Sequence, residues 1–224
     1  MNRPAEIHTR GILFDMDGVL ISSIGSVTRC WRTWAAVYHL ENADTLEIPH
    51  GTRAIDIVKV LRPDIDPMEG LRVIEDMEIA DTEDLTVLPG VHALLASLPP
   101  DRWTIVTSAT TRLLLGRLEA AGLPVPERFI SADMVERGKP DPEPYRRDAK
   151  LLGLHPGEAV VVEDAPAGVG SGKAAGCRVL AVLGTHEPSQ LSHANWIIPS
   201  MTELTVEVQP GDLVLRSPML TEPR

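Results

Sequence analysis

The chain has 224 residues, of which 43% are hydrophobic and 24% are charged, and its formal net charge is −11. A chain of this length and composition suits one large globular domain, or one domain that carries an insert. The negative charge argues against nucleic acid or an anionic membrane as a partner, because binding to either depends on clustered Lys and Arg.

The location of the protein is predicted from its first residues and its cysteines. Residues 1–10 are polar and lack the apolar core of a secretory signal, and apolar runs such as residues 159–162 are far shorter than a membrane span. Cys30 and Cys177 are expected to be free buried thiols, since a core of this size needs no disulfide. We therefore expect a cytoplasmic protein, a monomer or a weak homodimer.

The first part of the chain predicts one strand followed by helices. Gly11–Phe14 is an apolar run that ends at the acidic turn Asp15-Met16-Asp17-Gly18, and it predicts a buried strand. Residues 22–87 show helical periodicity without a strong strand pattern. The helices predicted there are residues 26–39, Ala54–Leu61 and residues 70–81. Turn residues at 88–90 end this segment, which predicts a small helical insert.

From residue 91 onward, predicted helices and strands alternate. The helices are residues 91–98, Thr111–Ala121, residues 144–152 and residues 167–175. The strands are residues 103–107, Phe129–Ile130, residues 160–162, residues 179–182 and Trp196–Ile198. This alternation predicts an α/β fold, with a mainly parallel sheet and helices on both faces. Residues 204–208 and 213–216 alternate like a hairpin and are expected to form an edge.

Polar residues follow three of the predicted strands, and one lysine precedes a predicted helix. In a parallel sheet the carboxyl ends of the strands meet at one edge, where ligands bind. The residues expected there are Asp15, Asp17, Thr107, Ser108, Lys139, Glu163 and Asp164. Carboxylates packed this closely repel one another, and a divalent cation relieves the repulsion; oxygen ligands favour Mg²⁺. Mg²⁺ and Lys139 would also supply the positive charge that an anionic phosphate ester needs in an acidic protein.

These residue types point to phosphoryl transfer. Asp15 is the first carboxylate after the strand, so we expect it to be the nucleophile that forms an aspartyl-phosphate. Asp17 is placed to protonate the leaving alkoxide and later to deprotonate water. Lys139, Ser108 and backbone N–H groups are expected to hold the phosphoryl oxygens.

The same segments resemble the four motifs of the haloacid dehalogenase superfamily, in order and in spacing. The segments are residues 15–20, residues 106–108, Lys139 within Gly-Lys-Pro-Asp-Pro-Glu-Pro-Tyr, and Glu163-Asp164-Ala-Pro-Ala-Gly. The resemblance implies a Rossmann-like core of residues 1–21 and 88–224, with a helical cap of residues 22–87 inserted after the first motif. It also implies that Asp15, the backbone carbonyl of Asp17 and Asp164 bind magnesium, with Glu163 in support.

Within that superfamily the chain is most similar to sugar and polyol phosphatases, including the glycerol-phosphate and 2-deoxyglucose-6-phosphate phosphatases. The similarity includes His50-Gly51-Thr52-Arg53 in the cap, and it implies that a small phosphate monoester is the substrate. The residues expected to bind it are His50, Arg53, Thr107, Ser108, Ala109 and Lys139. The chain departs from these relatives at Ser22-Ser23 and at Ala109, which leaves the choice of substrate open.

Two other functions remain as alternatives. A sugar phosphomutase of the β-phosphoglucomutase type shares the core, the cap and the Arg-bearing cap loop, but its members resemble one another in a histidine where this chain has Val27. A non-catalytic phosphate-binding protein is the more remote alternative, because no catalytic position is missing. Asp17 argues against a dehalogenase and against a phosphonate hydrolase, which lack a second aspartate at this position.

Overall fold

The structure is a computed structural model that describes residues 6–218 and 220–221. Its strands are β1 (Glu6–Thr9), β2 (Gly11–Phe14), β3 (Ile21–Ser22), β4 (Thr86–Val87), β5 (Trp103–Val106), β6 (Phe129–Ile130), β7 (Ala159–Glu163), β8 (Arg178–Val182), β9 (Trp196–Ile198), β10 (Thr205–Gln209) and β11 (Asp212–Arg216). Its α-helices are α1 (Ile24–Val37), α2 (Ala54–Leu61), α3 (Pro67–Ala80), α4 (Val91–Ser97), α5 (Thr111–Ala121), α6 (Glu143–Leu151) and α7 (Pro166–Ala175).

The main sheet is parallel and has the strand order β6-β5-β2-β7-β8-β9. Side chains of a strand point alternately to its two faces. Accordingly, Ile12 and Phe14 of β2 belong to one buried cluster and Leu13 belongs to another. Both faces are therefore covered, which explains the continuous apolar runs and confirms the predicted α/β Rossmann-like fold.

The order of the central strands determines where the site forms. β2 lies between β5 and β7, and all three run in the same direction. Their carboxyl ends are thus adjacent, and each is followed by polar residues of the predicted set. This edge of the sheet is the expected location of a ligand in an open α/β fold.

Helices α1 to α3 pack around their own buried cluster, which includes Trp31, Trp34, Val58 and Ile74. The indole N–H of Trp34 donates a hydrogen bond of 2.9 Å to the carbonyl of Gly70 in α3. The chain enters and leaves this group of helices through β3 and β4, which pair antiparallel. The prediction of three helices in this segment is confirmed. The pairing of β3 with β4 was not predicted, because a strand of two residues is too short to show the alternation of apolar and polar residues.

The C-terminal hairpin forms as predicted but lies elsewhere. β10 and β11 pair antiparallel, and β11 also pairs with β1 to give a separate three-stranded sheet. The hairpin therefore does form an edge, through β10, but the edge belongs to this smaller sheet and not to the main one. β1 was not predicted, because only Ile7 and Thr9 of its four residues are buried. These two side chains become buried only when β11, which is distant in sequence, pairs with β1.

Two further expectations concern the whole chain. Cys30 and Cys177 are free and buried, as predicted, and burial raises the pKa of each thiol to about 12. Over residues 6–218 and 220–221, none of the helices has both the length and the apolar character needed to cross a membrane.

Candidate active site

Lys139 lies at the centre of the site. Its Nζ donates hydrogen bonds to Asp15 Oδ1 at 2.7 Å, to Glu163 Oε1 at 2.6 Å and to the carbonyl of Val106 at 3.0 Å. All three partners stand at the ends of the adjacent strands β2, β5 and β7. The Lys139 and Glu163 side chains are 2% and 1% exposed, so this ion pair network is removed from water. Tyr145 donates a further bond of 2.6 Å to Glu163 Oε1.

Asp164 is held beside this group. Its Oδ2 accepts a bond of 2.5 Å from the hydroxyl of Thr185, which lies in the loop after β8. Gly18 approaches so closely that a Cβ built on it would lie 2.0 Å from that oxygen, and its φ is +82°. A residue with a side chain would be strained at this φ and would collide with the carboxylate. Gly18 therefore lets the loop after β2 close onto Asp164.

The electrostatics of these groups follow from burial. Burial raises the pKa of Asp15 well above its ordinary value, and Glu163 adds to the shift while Lys139 opposes it. Burial, followed by repulsion from Glu163, raises the pKa of Asp164 to about 7. Burial alone would lower the pKa of Lys139, but Asp15 and Glu163 outweigh it and raise that pKa above its ordinary value. One lysine is thus too little positive charge for this set of carboxylates.

Three carboxylates in this set fit a divalent cation. One oxygen each from Asp15, Glu163 and Asp164 lies within 4.8 Å of the others, and all three residues are buried. Oxygen donors of this kind suit a hard cation such as Mg²⁺. Glu163 has other partners, because its Oε2 accepts from the N–H groups of Asp164 at 3.1 Å and Ala165 at 3.4 Å. These bonds favour a supporting position for Glu163 and leave Asp15 and Asp164 as the carboxylates best placed for a metal.

The carboxylate of Asp17 does not belong to that three-carboxylate cluster and has other partners. Its Oδ1 accepts a bond of 2.7 Å from the hydroxyl of Ser23, and its Oδ2 accepts one of 2.7 Å from Arg117. The Asp17 side chain is 32% exposed and contributes to the wall of a cavity next to Asp15. This arrangement is compatible with the two expected roles of Asp17, a metal contact through its carbonyl and proton transfer through its carboxylate.

Thr107, Ser108 and Ala109 lie where the sequence placed them, directly after β5, and all three line the cavity. The N–H of Ala109 donates a bond of 3.0 Å to Thr107 Oγ1. The hydroxyl of Ser108 donates a bond of 2.6 Å to the carbonyl of Gly51, which belongs to the loop before α2. Ser108 thereby joins the strand end to the helical segment across the cavity.

His50 and Arg53 occupy different positions, although they are close in sequence. His50 lines the cavity, and its ring lies 5.9 Å from that of His186; burial and this neighbour lower the pKa of His50. Arg53 donates instead to Asp56 and, at 3.1 Å, to the carbonyls of Val135 and Glu136. The structure does not bring the Arg53 guanidinium to the cavity wall, so a contact between Arg53 and the substrate stays a prediction.

The cavity lies between the strand ends and helices α1 to α3, and it encloses about 110 Å³. Its wall near the strand ends is acidic and polar, and Val27, Trp31 and Ile74 supply apolar surface opposite. Glu75 and Glu78 of α3 also line it, and both are largely buried. The cavity therefore combines carboxyl groups on two sides with apolar surface between them.

Several residues of the site were not predicted from the sequence. Arg117, Glu75 and Glu78 carry a signal that was readable, since each lies on the buried face of its helix, as Leu113 and Leu114 do in α5 and Leu71 and Ile74 do in α3. A charged residue on an apolar helix face needs a partner, because an unpaired buried charge is costly. Thr185 had no such signal, because it lies in an ordinary loop.

The fold and the acidic strand-end cluster define the class of the protein. Residues 9–176 match the model of the haloacid dehalogenase-like hydrolases. The match covers more than half of the chain, which therefore belongs to this family of hydrolases.

Named relatives in the family narrow the comparison. The chain is 41% identical to hexitol phosphatase A of Escherichia coli, over 92% of this chain and 99% of the relative. It is 32% identical to glycerol-1-phosphate phosphohydrolase 2 of Saccharomyces cerevisiae, over 83% of this chain and 79% of the relative. Among solved structures, a hydrolase from Pseudomonas syringae superimposes with a TM-score of 0.76 at 21% identity, over 86% and 94% of the two chains. The last likeness concerns the fold alone.

Proposed function

We propose that the protein is a Mg²⁺-dependent phosphatase that hydrolyses a small sugar or polyol phosphate monoester through an aspartyl-phosphate on Asp15. The observation that carries the proposal is the contact of Asp15 with Lys139 inside a buried cluster that also holds Glu163 and Asp164. The identity with hexitol and glycerol-phosphate phosphatases supports the substrate class. We also propose that residues 22–87 act as a cap over a core made of residues 1–21 and 88–224.

In the first step a carboxylate oxygen of Asp15 attacks phosphorus and the bond from phosphorus to the ester oxygen breaks. The electron pair of that bond goes to the leaving oxygen, which takes a proton from Asp17 and departs as an alcohol. Lys139, the hydroxyls of Thr107 and Ser108, and the N–H of Ala109 are the groups proposed to hold the phosphoryl oxygens. Donors that are held in place before the reaction stabilise the charge of the transition state without further reorganisation.

In the second step a water molecule attacks the phosphorus of the aspartyl-phosphate. Asp17 takes the proton from this water, the bond from phosphorus to the Asp15 oxygen breaks, and its electron pair returns to the carboxylate. Phosphate leaves, and both aspartates regain their starting protonation states. One carboxyl group thus serves as acid in the first step and as base in the second.

Asp15, the backbone carbonyl of Asp17 and Asp164 are the groups proposed to hold Mg²⁺, with Glu163 keeping Lys139 and Asp164 in place. The ion supplies charge neutralisation for the phosphoryl group and for the carboxylates around it. The raised pKa values of Asp15 and Asp164 support this proposal, because burial and mutual repulsion disfavour their ionised forms until a cation is present.

The charges on the cavity walls indicate the chemistry of the part of the substrate that lies beyond its phosphate. Arg117 is the one arginine or lysine among the described residues that line it, and its guanidinium already pairs with two carboxylates. Glu75 and Glu78 place two further carboxyl groups opposite the strand ends, and burial raises the pKa of Glu78 to about 7. We therefore propose that the substrate carries one phosphate and a neutral tail, whose hydroxyls donate to these carboxylates while Trp31 packs on its carbon chain. His50 is proposed to contact the same tail.

The phosphomutase alternative requires the cavity to hold a second phosphate group, because a mutase binds a bisphosphate intermediate. The charge of the cavity does not favour this alternative. The test is to follow phosphate release and isomerisation together, with sorbitol 6-phosphate, glycerol phosphate, 2-deoxyglucose 6-phosphate and β-glucose 1-phosphate. We expect free phosphate from the polyol and sugar monophosphates and no glucose 6-phosphate from β-glucose 1-phosphate. Isomerisation without phosphate release would replace the proposal by the mutase, and no turnover of any ester would support the non-catalytic alternative.

The same assay tests the neutral tail with a matched pair of substrates. Sorbitol 6-phosphate and 6-phosphogluconate differ in that a carboxylate replaces a hydroxymethyl group. We expect kcat/KM to be much lower for 6-phosphogluconate than for sorbitol 6-phosphate. Glu75→Gln should reduce this difference in kcat/KM, because it weakens the repulsion between the cavity and the substrate carboxylate. Equal kcat/KM values for the two esters in the unmodified protein would contradict a cavity that selects by charge.

A further inference from the structure

Arg117 is a buried arginine that joins two parts of the molecule. It belongs to α5, next to the main sheet, and its side chain is 7% exposed. Its Nη1 donates to Asp17 Oδ2 at 2.7 Å and its Nη2 donates to Glu78 Oε2 at 3.0 Å. Glu78 belongs to α3 of the helical segment and its side chain is 6% exposed. One guanidinium therefore connects the proposed acid/base group with the cap.

Both oxygens of the Asp17 carboxylate are constrained. The hydroxyl of Ser23, at the junction of β3 and α1, holds Oδ1, and Arg117 holds Oδ2. A proton passes efficiently to a leaving oxygen only when donor and acceptor are aligned. The planar guanidinium bonds Asp17 through one nitrogen and Glu78 through another, and so holds the two carboxylates in a fixed relation that a single-point ammonium does not impose. Arg117 thus has the geometry to set the direction in which Asp17 faces the substrate.

We propose that Arg117 is a positioning residue that orients Asp17 for proton transfer and is itself held by Glu78 of the cap. The acid/base carboxylate is then aligned only while α3 lies against α5. The inference rests on the proposed function, since it assigns Arg117 to the proton transfers of that reaction.

The inference predicts a dependence on the leaving group. An alkoxide that leaves from sorbitol 6-phosphate needs the proton of Asp17, whereas p-nitrophenolate leaves from p-nitrophenyl phosphate without one. For both esters kcat/KM covers the steps through formation of the aspartyl-phosphate and is independent of its hydrolysis. Loss of orientation should therefore lower kcat/KM for the alkyl ester far more than for the aryl ester.

The experiment measures kcat/KM for both esters in the wild type and in Arg117→Met. We expect a loss of about 100-fold for sorbitol 6-phosphate, the lower part of the range for general acid catalysis, and little change for p-nitrophenyl phosphate. Arg117→Lys, which keeps the charge and loses the planar guanidinium, should recover part of the loss for the alkyl ester. Arg117→Gln, which keeps a polar side chain at this buried position, should show the same selective loss, and it serves as the test if Arg117→Met does not fold.

Arg112→Met is the matched control. Arg112 lies on the same helix, is 54% exposed and pairs with Asp76 of α3 at 2.6 Å; its guanidinium stays 3.9 Å from Glu75, beyond hydrogen-bond distance. Its removal also deletes an ion pair between α5 and the cap but leaves the bonds to Asp17 in place, so both esters should retain their wild-type ratio. Equal losses for the two esters in Arg117→Met, or the same selective loss in Arg112→Met, would overturn the inference. A wild type that releases phosphate from neither ester would instead refute the proposed function.

Discussion

Asp148 allows a quantitative test of how the core beneath the site is built. It lies in α6, is fully buried and accepts a hydrogen bond from the hydroxyl of Thr104 in β5. Its second oxygen, Oδ1, has no hydrogen-bond partner among the described residues. Burial raises the pKa of Asp148 from 3.8 to about 8, against the weaker opposing effects of Thr104 and Lys139. The folded protein therefore keeps a proton on Asp148 that the unfolded chain has lost at neutral pH.

The sign of the effect follows from proton linkage. The folded-state pKa lies above the unfolded one, so between about pH 4 and pH 8 the folded state binds more protons and its stability falls as the pH rises. The interval from 3.8 to about 8 corresponds to on the order of 5 kcal/mol of unfolding free energy. Asp148→Asn keeps the shape of the side chain and cannot ionise, so its stability relative to the wild type should rise by this amount between about pH 4 and pH 8.

The assay is urea unfolding of wild type and Asp148→Asn in the presence of a chelator, between about pH 5 and pH 9. The other buried carboxylates occur in both proteins, and their contributions cancel in the difference. Thr104→Val is the control, because it removes the hydroxyl that donates to Asp148 and leaves the carboxyl group. It should cost about 1 kcal/mol and keep a pH dependence of the same sign, because the carboxyl group stays buried and loses a bond that lowers its pKa. A stability difference between Asp148→Asn and wild type that is the same at both ends of the pH range would refute the reasoning.

Three further predictions concern the site. Asp15→Asn should abolish phosphate release without loss of the fold, as measured by a phosphate assay and by thermal unfolding, and normal turnover would disprove the nucleophile. Gly18→Ala should raise the Mg²⁺ concentration for half-maximal activity by roughly 10- to 100-fold, because its Cβ would lie 2.0 Å from the Asp164 carboxylate; an unchanged metal titration would contradict this geometry. Removal of metal with a chelator should stop phosphate release and added Mg²⁺ should restore it, whereas full activity after dialysis against the chelator would exclude the proposed metal dependence.

Most of the main sheet and its helices could be predicted from periodicity. Buried strands such as β2 and β7 are short apolar runs, and helices such as α5 repeat apolar residues at three and four positions and end at a glycine. The convergence of Asp15, Lys139 and Asp164 was predicted for a topological reason. Parallel strands place their carboxyl ends together, so residues that follow such strands meet whatever their separation in sequence.

Pairings that depend on distant surfaces were not predictable. β1 is polar at every second position and only four residues long, and it becomes a strand because β11 brings Leu213 and Leu215 against it. The same limitation applies to the C-terminal hairpin, whose local pattern predicts pairing within the hairpin but not the sheet that it joins. Which strands pair depends on which surfaces become buried against each other when the chain folds. Local strand propensity does not determine this.

The sequence by itself determined the α/β fold, the acidic strand ends and the lysine among them, because each depends on local periodicity and on the geometry of a parallel sheet. Only the tertiary structure decided how side chains from separate segments share their hydrogen bonds. Arg117 binds Asp17 across 100 positions of sequence, whereas Arg53 turns to backbone carbonyls more than 80 positions away. The physical reason is that buried charges must find partners, and the partners within reach are known only after the helices have packed.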